Sequence, residues 1–168
     1  MNSGAGIQNS EFTNTEKIFF GKVAILGVGL IGASFALAVR KKGLCKTISG
    51  FGRNEENLKR ARDRGIINGY SLDAIKASED ADLIVLATPV GTFKDLITGI
   101  RTSIKHGAVV TDAVSVKGSL VSELEALMPP GAAYVGSHPI AGSDRSGIDD
   151  ARADLFSSAR CVLTPTEK

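Results

Sequence analysis

Gly27-Val28-Gly29-Leu30-Ile31-Gly32 lies between an apolar run, residues 23–27, and a helix-compatible run, residues 30–42. The first run suits a buried parallel strand, the second an α-helix, and the glycines fall where the chain must turn between them. In that setting each glycine has a mechanical task. Gly27 makes the tight turn, Gly29 lets a pyrophosphate approach the backbone, and Gly32 lets helix and strand pack closely. The first N–H groups of the helix, at its positive end, then face the phosphates. The G-x-G-x-x-G spacing between a strand and a helix therefore points to dinucleotide binding. The plainer alternative is a tight turn that binds nothing.

Outward from this stretch, strands and helices alternate. Arg40-Lys41-Lys42 and Gly43 suit a helix C-terminus. Residues 46–51 form a second strand, and Asn54 caps a helix over residues 55–64, which Gly65 ends. Residues 66–76 are a short connection with one turn of helix. The continuous apolar run 81–87 is a strand buried on both faces, stopped by Thr88-Pro89 and followed by a helix over residues 91–104. Further strands are expected at residues 108–111, 132–135 and 160–164, with a helix over residues 117–128 ended by Pro129-Pro130-Gly131. This alternation predicts an α/β fold: a Rossmann-like, doubly wound, mainly parallel sheet with helices on both faces. The domain is expected over residues 21–168, with residues 1–20 a disordered leader or appended segment.

Composition fits one soluble globular domain: 168 residues, 43% apolar and 23% charged. Its 20 basic and 18 acidic residues are interspersed and leave a net charge of +2, which offers no footprint for nucleic acid or an acidic membrane. The uncharged run 23–39 is slightly short for a membrane span, and its glycines break it into strand and helix. Residues 1–17 lack the apolar core of a secretory signal. Cys45 and Cys161 are single, far apart and without metal-ligand spacing, so no metal site is expected and a reduced, cytoplasmic setting is the simplest reading.

Open α/β sheets bind ligands beyond the carboxyl ends of their strands. Here those ends carry Gly27 to Gly32, Gly52-Arg53-Asn54, Thr88-Pro89-Val90, and Ser115 with His138. An acidic residue that would hold the adenosine ribose is expected about 20 residues past the glycines. That position falls on or near Gly52, with Arg53 beside it and no carboxylate before Glu55. A 2′-phosphate would meet no repulsion and could pair with Arg53, so NADP is favoured over NAD. Alternatively, Arg53 stacks on the adenine of either cofactor or is simply solvated.

The sequence holds two histidines. His106 precedes Gly107 at a helix end, where capping explains it. His138 follows a buried strand, precedes a proline, and has the pKa class of a proton acceptor near neutrality. It is either the general base or a structural histidine. Ser115 could orient it or a substrate hydroxyl, or merely cap a helix. Asp144-Arg145, by itself, reads as a solvated turn pair.

Together the glycine stretch, Thr88-Pro89-Val90, Asp112 to Lys117 and Gly136-Ser137-His138-Pro139-Ile140-Ala141-Gly142 resemble the prephenate dehydrogenase family, including its arogenate-using relatives. The resemblance spans residues 22–167, and HPIAG after a D-x-x-S-V-K segment is its specific part. It implies an NAD(P)-dependent oxidative decarboxylation of prephenate or arogenate in tyrosine biosynthesis. His138 would take the proton of the ring hydroxyl as hydride leaves. Ser115 would hydrogen-bond the same region and help place the nicotinamide. Gly27, Gly29, Leu30, Ile31, Gly32, Arg53, Thr88 and Pro89 would hold the cofactor, and Ser143 and Asp144 would lie at the substrate mouth. Asp144 is one methylene shorter than the glutamate the family usually has there. Members of that family continue into a helical second domain that supplies substrate contacts and a homodimer interface. The expectation is that this domain is absent here and that the chain, as the cofactor-binding half, is nearly inactive alone. Two other readings stay open: a dehydrogenase of the β-hydroxy acid or imine type, and a regulatory module that senses NAD(P)H.

Overall fold

The computed structural model describes residues 19–141 and 146–165. Ser143, Asp144 and the expected leader up to residue 18 lie outside the described residues.

A seven-stranded sheet forms the middle layer, in the order β3-β2-β1-β4-β5-β6-β7. Its centre is β1 (Phe20–Leu26), paired in parallel with β2 (Cys45–Phe51) on one side and β4 (Leu83–Leu86) on the other. Residues 23–26 and 83–86 are buried throughout, which explains why both strands read as continuous apolar runs. Alternation along β1 divides the core. Val23 and Ile25 face α1 (Leu30–Lys41) and α2 (Glu55–Asp63), while Ala24 and Leu26 face the layer of α3 (Ala74–Ser78), α4 (Phe93–Ile100) and α5 (Gly118–Ala126). Helices thus cover both faces, as a doubly wound sheet requires.

The chain runs outward from β1 through β2 to β3 (Gly69–Ser71), then crosses back to β4 and outward through β5 (Val109–Asp112) and β6 (Ala133–Pro139). The direction of winding reverses between β1 and β4, so their carboxyl ends flank an open crevice. At the far edge β7 (Cys161–Thr164) pairs antiparallel with β6.

Four sequence expectations need correction. Residues 66–76 hold a strand as well as a helical turn: β3 pairs with β2 through Ser49–Gly69, Gly50–Tyr70 and Phe51–Ser71. The helix expected over residues 91–104 is a 3-10 turn at Val90–Thr92 followed by α4, which stops at Ile100. His106 therefore caps no helix. Its ring lies over Gly131, where an added Cβ would stand 2.1 Å from His106 Cδ2, and the N–H of Gly107 bonds the Gly131 carbonyl. Finally, β6 runs to Pro139 rather than ending at Val135, because β7 pairs with its last residues. His138 is a strand residue opposite Val162 and not part of a loop.

No helix among the described residues is long and apolar enough to cross a membrane.

Candidate functional site

The crevice between the ends of β1 and β4 has a volume of about 380 Å³. Gly27, Val28 and Gly29 form its floor, Phe51 to Asn54 one wall, and Ala87, Thr88, Pro89 and Thr92 the other. Three strand ends therefore converge on one space, as the strand order dictates.

The glycines divide the work. Gly27 has φ +112°, a conformation L side chains rarely adopt, and an added Cβ would come within 2.5 Å of the Ala87 carbonyl carbon. Gly32 is a packing glycine: its Cβ would stand 2.2 Å from the Gly27 carbonyl oxygen. Gly29 differs, since a Cβ there would meet nothing within 4 Å. It occupies the N-cap of α1 without a side-chain cap, and the first turn carries no acidic residue. The first N–H groups of α1 have no carbonyl behind them in the helix, and the helix dipole adds positive potential at that end. An uncapped, carboxylate-free helix start under open space fits the pyrophosphate of a dinucleotide.

Leu30 is 8% exposed, with its side chain in the core; Ile31 is half-buried, and neither lines the crevice. Both lie in the first turn of α1, where the backbone N–H groups have no carbonyl partner within the helix. Arg53 is exposed on the wall at the end of β2. Thr88 and Pro89 begin the opposite wall, where the Thr88 and Thr92 hydroxyls share a hydrogen bond of 2.8 Å and Thr92 Oγ1 donates to the Pro89 carbonyl.

Asn57 went unnoticed in the sequence. Asn54 caps α2 by accepting the Asn57 N–H at 3.0 Å, and Asn57 Nδ2 in turn donates to the Val28 carbonyl at 2.7 Å. The turn after β2 and the turn after β1 are thereby locked to each other. Its only sequence signal is its place three residues after the cap.

Ser115 and His138 do not line this crevice. Ser115 is exposed in the turn after β5, and His138 is half-buried near the end of β6. The parallel register Thr111–Val135 sets these two strand ends side by side. Gly136 faces α5 and the preceding turn, since a Cβ there would lie 3.3 Å from both Lys117 Cδ and Val121 Cγ2. Two residues on, His138 projects to the same face.

Asp112 and Lys117, quoted in the sequence only as part of a motif, are the polar centre of this edge. The Asp112 side chain is fully buried, and Lys117 Nζ sits 2.5 Å from its Oδ2. Tyr134 donates to Asp112 Oδ1 at 2.8 Å; burial, and then the neighbouring carboxylate, push its phenol far above the ordinary tyrosine range. Among the described residues no group of three or more His, Cys, Asp or Glu could hold a metal ion.

Comparison with known proteins shows the family and the fold. Residues 35–168 match the family model for the prephenate dehydrogenase nucleotide-binding domain. The prephenate dehydrogenase of Lactococcus lactis subsp. cremoris is 38% identical over 146 residues, covering 85% of this chain and 40% of that enzyme. The crystal structure of prephenate dehydrogenase from Aquifex aeolicus, in complex with hydroxyphenyl propionate and NAD+, superposes with a TM-score of 0.82 at 36% identity, covering 88% of this chain and 51% of that one. Arogenate dehydrogenase from Synechocystis gives a TM-score of 0.79 at 32% identity, with 87% and 50% covered. The chain thus spans about half the length of these relatives or less, and the family model it matches is that of the nucleotide-binding domain. With the fold, the glycine turn and the matched family model in agreement, the chain belongs to the prephenate dehydrogenase family, of which it carries the nucleotide-binding domain.

Proposed function

We propose that the chain is the cofactor-binding half of an enzyme that oxidatively decarboxylates prephenate or arogenate, and that by itself it binds NAD(P) but turns over little substrate. The observation that carries this reading is the uncapped start of α1 beneath the open space at Gly29, beside a family match covering residues 35–168. Gly27, Gly29 and the N–H groups of Leu30, Ile31 and Gly32 would hold the pyrophosphate. Thr88 and Pro89 would flank the cofactor on the β4 side. Arg53 at the end of β2 would pair with a 2′-phosphate, which favours NADP.

The bound cofactor supplies the hydride acceptor. An imidazole nitrogen of His138 would take the proton of the ring hydroxyl, building alkoxide character on that oxygen. The hydride leaves the ring carbon that bears this oxygen, and the ring carboxylate departs as carbon dioxide. The electrons of the broken C–C bond complete the aromatic ring as the ring oxygen takes a proton back. Ser115 would hydrogen-bond near the same hydroxyl and the nicotinamide. Ser143 and Asp144, by the resemblance, would lie at the substrate mouth. A helical domain like that of the family would complete the substrate pocket, form a homodimer and operate in the cytoplasm.

A titration of the purified chain with NADPH and NADH, followed by addition of prephenate and the oxidised cofactors, tests the reading. Saturable binding with formation of reduced nicotinamide barely above background is expected. Failure of a folded chain to bind either cofactor would overturn the cofactor role, and brisk turnover of prephenate would overturn the claim of dependence on further residues.

A further inference from the structure

Asp112 is 1% exposed, and its two carboxylate oxygens address two different segments. Oδ1 accepts from the Tyr134 hydroxyl at 2.8 Å and from the Ser137 N–H at 3.0 Å, both on β6. Oδ2 accepts from the Val114 N–H at 3.1 Å and from Lys117 Nζ at 2.5 Å, both in the turn after β5. Lys117 Nζ also donates to the Val114 carbonyl at 2.6 Å, which closes that turn on itself. The Ser137 hydroxyl donates to the Asp112 carbonyl. Ser115 therefore sits between two anchored residues, Val114 and Lys117, and His138 directly follows the anchored Ser137.

A buried ion pair is a poor device for stability alone, because desolvating both charges offsets most of their attraction. What a fully bonded carboxylate adds is direction, since each oxygen accepts only along a few lines. Here those lines fix the turn relative to the strand. An apolar plug at the same place would fill space without setting that relation.

We propose that Asp112, with Lys117 as its counter-ion, is a positioning residue that holds Ser115 and His138 in one fixed relation at the end of the sheet. It touches neither cofactor nor substrate; it acts through the two residues it aligns. The inference rests on the reading of Ser115 and His138 given above, and it adds the device that makes them a pair.

The test uses the chain with NADH and ADP-ribose as probes. ADP-ribose reports the glycine crevice alone, and the ratio of its Kd to that of NADH reports the nicotinamide half. Asp112→Asn and Lys117→Met are expected to leave the ADP-ribose Kd within about twofold while reducing that ratio by about fivefold or more. Lys117→Arg, which keeps the cation, is expected to restore it. In the free chain the Ser115 amide and His138 imidazole NMR signals are expected to shift in the Asn and Met variants, with the amides of Gly27 to Gly32 unmoved. Parallel weakening of both probes, or unshifted His138 and Ser115 signals in folded variants, would overturn the proposal. Should Asp112→Asn not fold, Lys117→Met, whose site is closer to solvent, decides. If the parent chain binds no ADP-ribose, the cofactor reading fails instead, and the NMR signals alone then support or overturn the positioning role.

Discussion

Asn57 Nδ2 donates to the Val28 carbonyl at 2.7 Å, so the helix that follows β2 holds the glycine turn that follows β1. The same residue gives its backbone N–H to the cap of its own helix. Asn57→Ala keeps the second bond and removes the first. The expected stability loss is about 1 kcal/mol, the usual worth of one such bond. NADH binding should weaken by about threefold to tenfold as the turn loosens. Thermal melts and cofactor titrations of the two proteins check both effects.

Two glycines of one motif should fail in opposite ways. Gly32→Ala places a methyl 2.2 Å from the Gly27 carbonyl oxygen, a backbone atom that cannot move without disturbing β1. A loss of about 1–3 kcal/mol or more in stability is expected. Gly29→Ala meets nothing within 4 Å and sits at φ −102°, where alanine is at ease. Its stability should change by less than about 1 kcal/mol, because the poorer N-cap offsets the stiffer unfolded chain. Its affinity for ADP-ribose should nevertheless fall at least about tenfold, because the methyl fills the phosphate's approach. Denaturation curves and ADP-ribose titrations separate the two.

Arg53 decides cofactor preference if its guanidinium pairs with a 2′-phosphate. Arg53→Ala should then weaken NADPH at least about tenfold, or about 1.4 kcal/mol, and NADH by less than about twofold. Equal loss for both cofactors would assign the side chain to adenine stacking. No loss for either would make it a solvated residue.

One source of acid sensitivity should lie at the opposite end of β4, where Asp82 is less exposed than the ion-paired carboxylates Glu123 and Asp149. Lys105 beside Asp82, and then the Lys22 N–H, hold its carboxyl below the usual carboxylate range. A group whose folded pKa is depressed contributes stability above its unfolded pKa and loses it as pH falls through the folded value. Stability should therefore drop as pH falls below about 4, the unfolded aspartate value. Asp82→Asn should lower stability at neutral pH and flatten that acid limb. Urea midpoints taken from neutral to acid pH check the sign, and an unchanged slope in the variant would remove Asp82 as the cause.

The parts of the fold legible in the sequence were those built from long, one-kind patterns. Residues 23–26 and 83–86 read as buried strands because both faces are covered, and Asn54 read as a cap because its side chain does accept the Asn57 N–H. β3 was not legible: Gly69-Tyr70-Ser71 has only three residues, all half-buried, and no apolar alternation. The extension of β6 to Pro139 was hidden because it depends on β7, a partner more than twenty residues away in sequence. At the crevice, the glycine turn was legible from its spacing and Thr88-Pro89 from the end of the buried strand it follows. The Asp112 network was not, because its meaning lies in Tyr134 and Ser137, which only the β5–β6 register brings beside it. Asn57 was missed for the same reason.

On the proposed function, a nicotinamide dinucleotide lies across the ends of β1, β2 and β4. Mapping amide NMR shifts as NADH is added to the chain tests it most directly. Saturable changes are expected at Gly27 to Gly32, Gly52 to Asn54 and Thr88-Pro89-Val90 (with no proline amide), with little change at the far ends of the same strands. A folded chain whose shifts do not move, or move elsewhere, would contradict it.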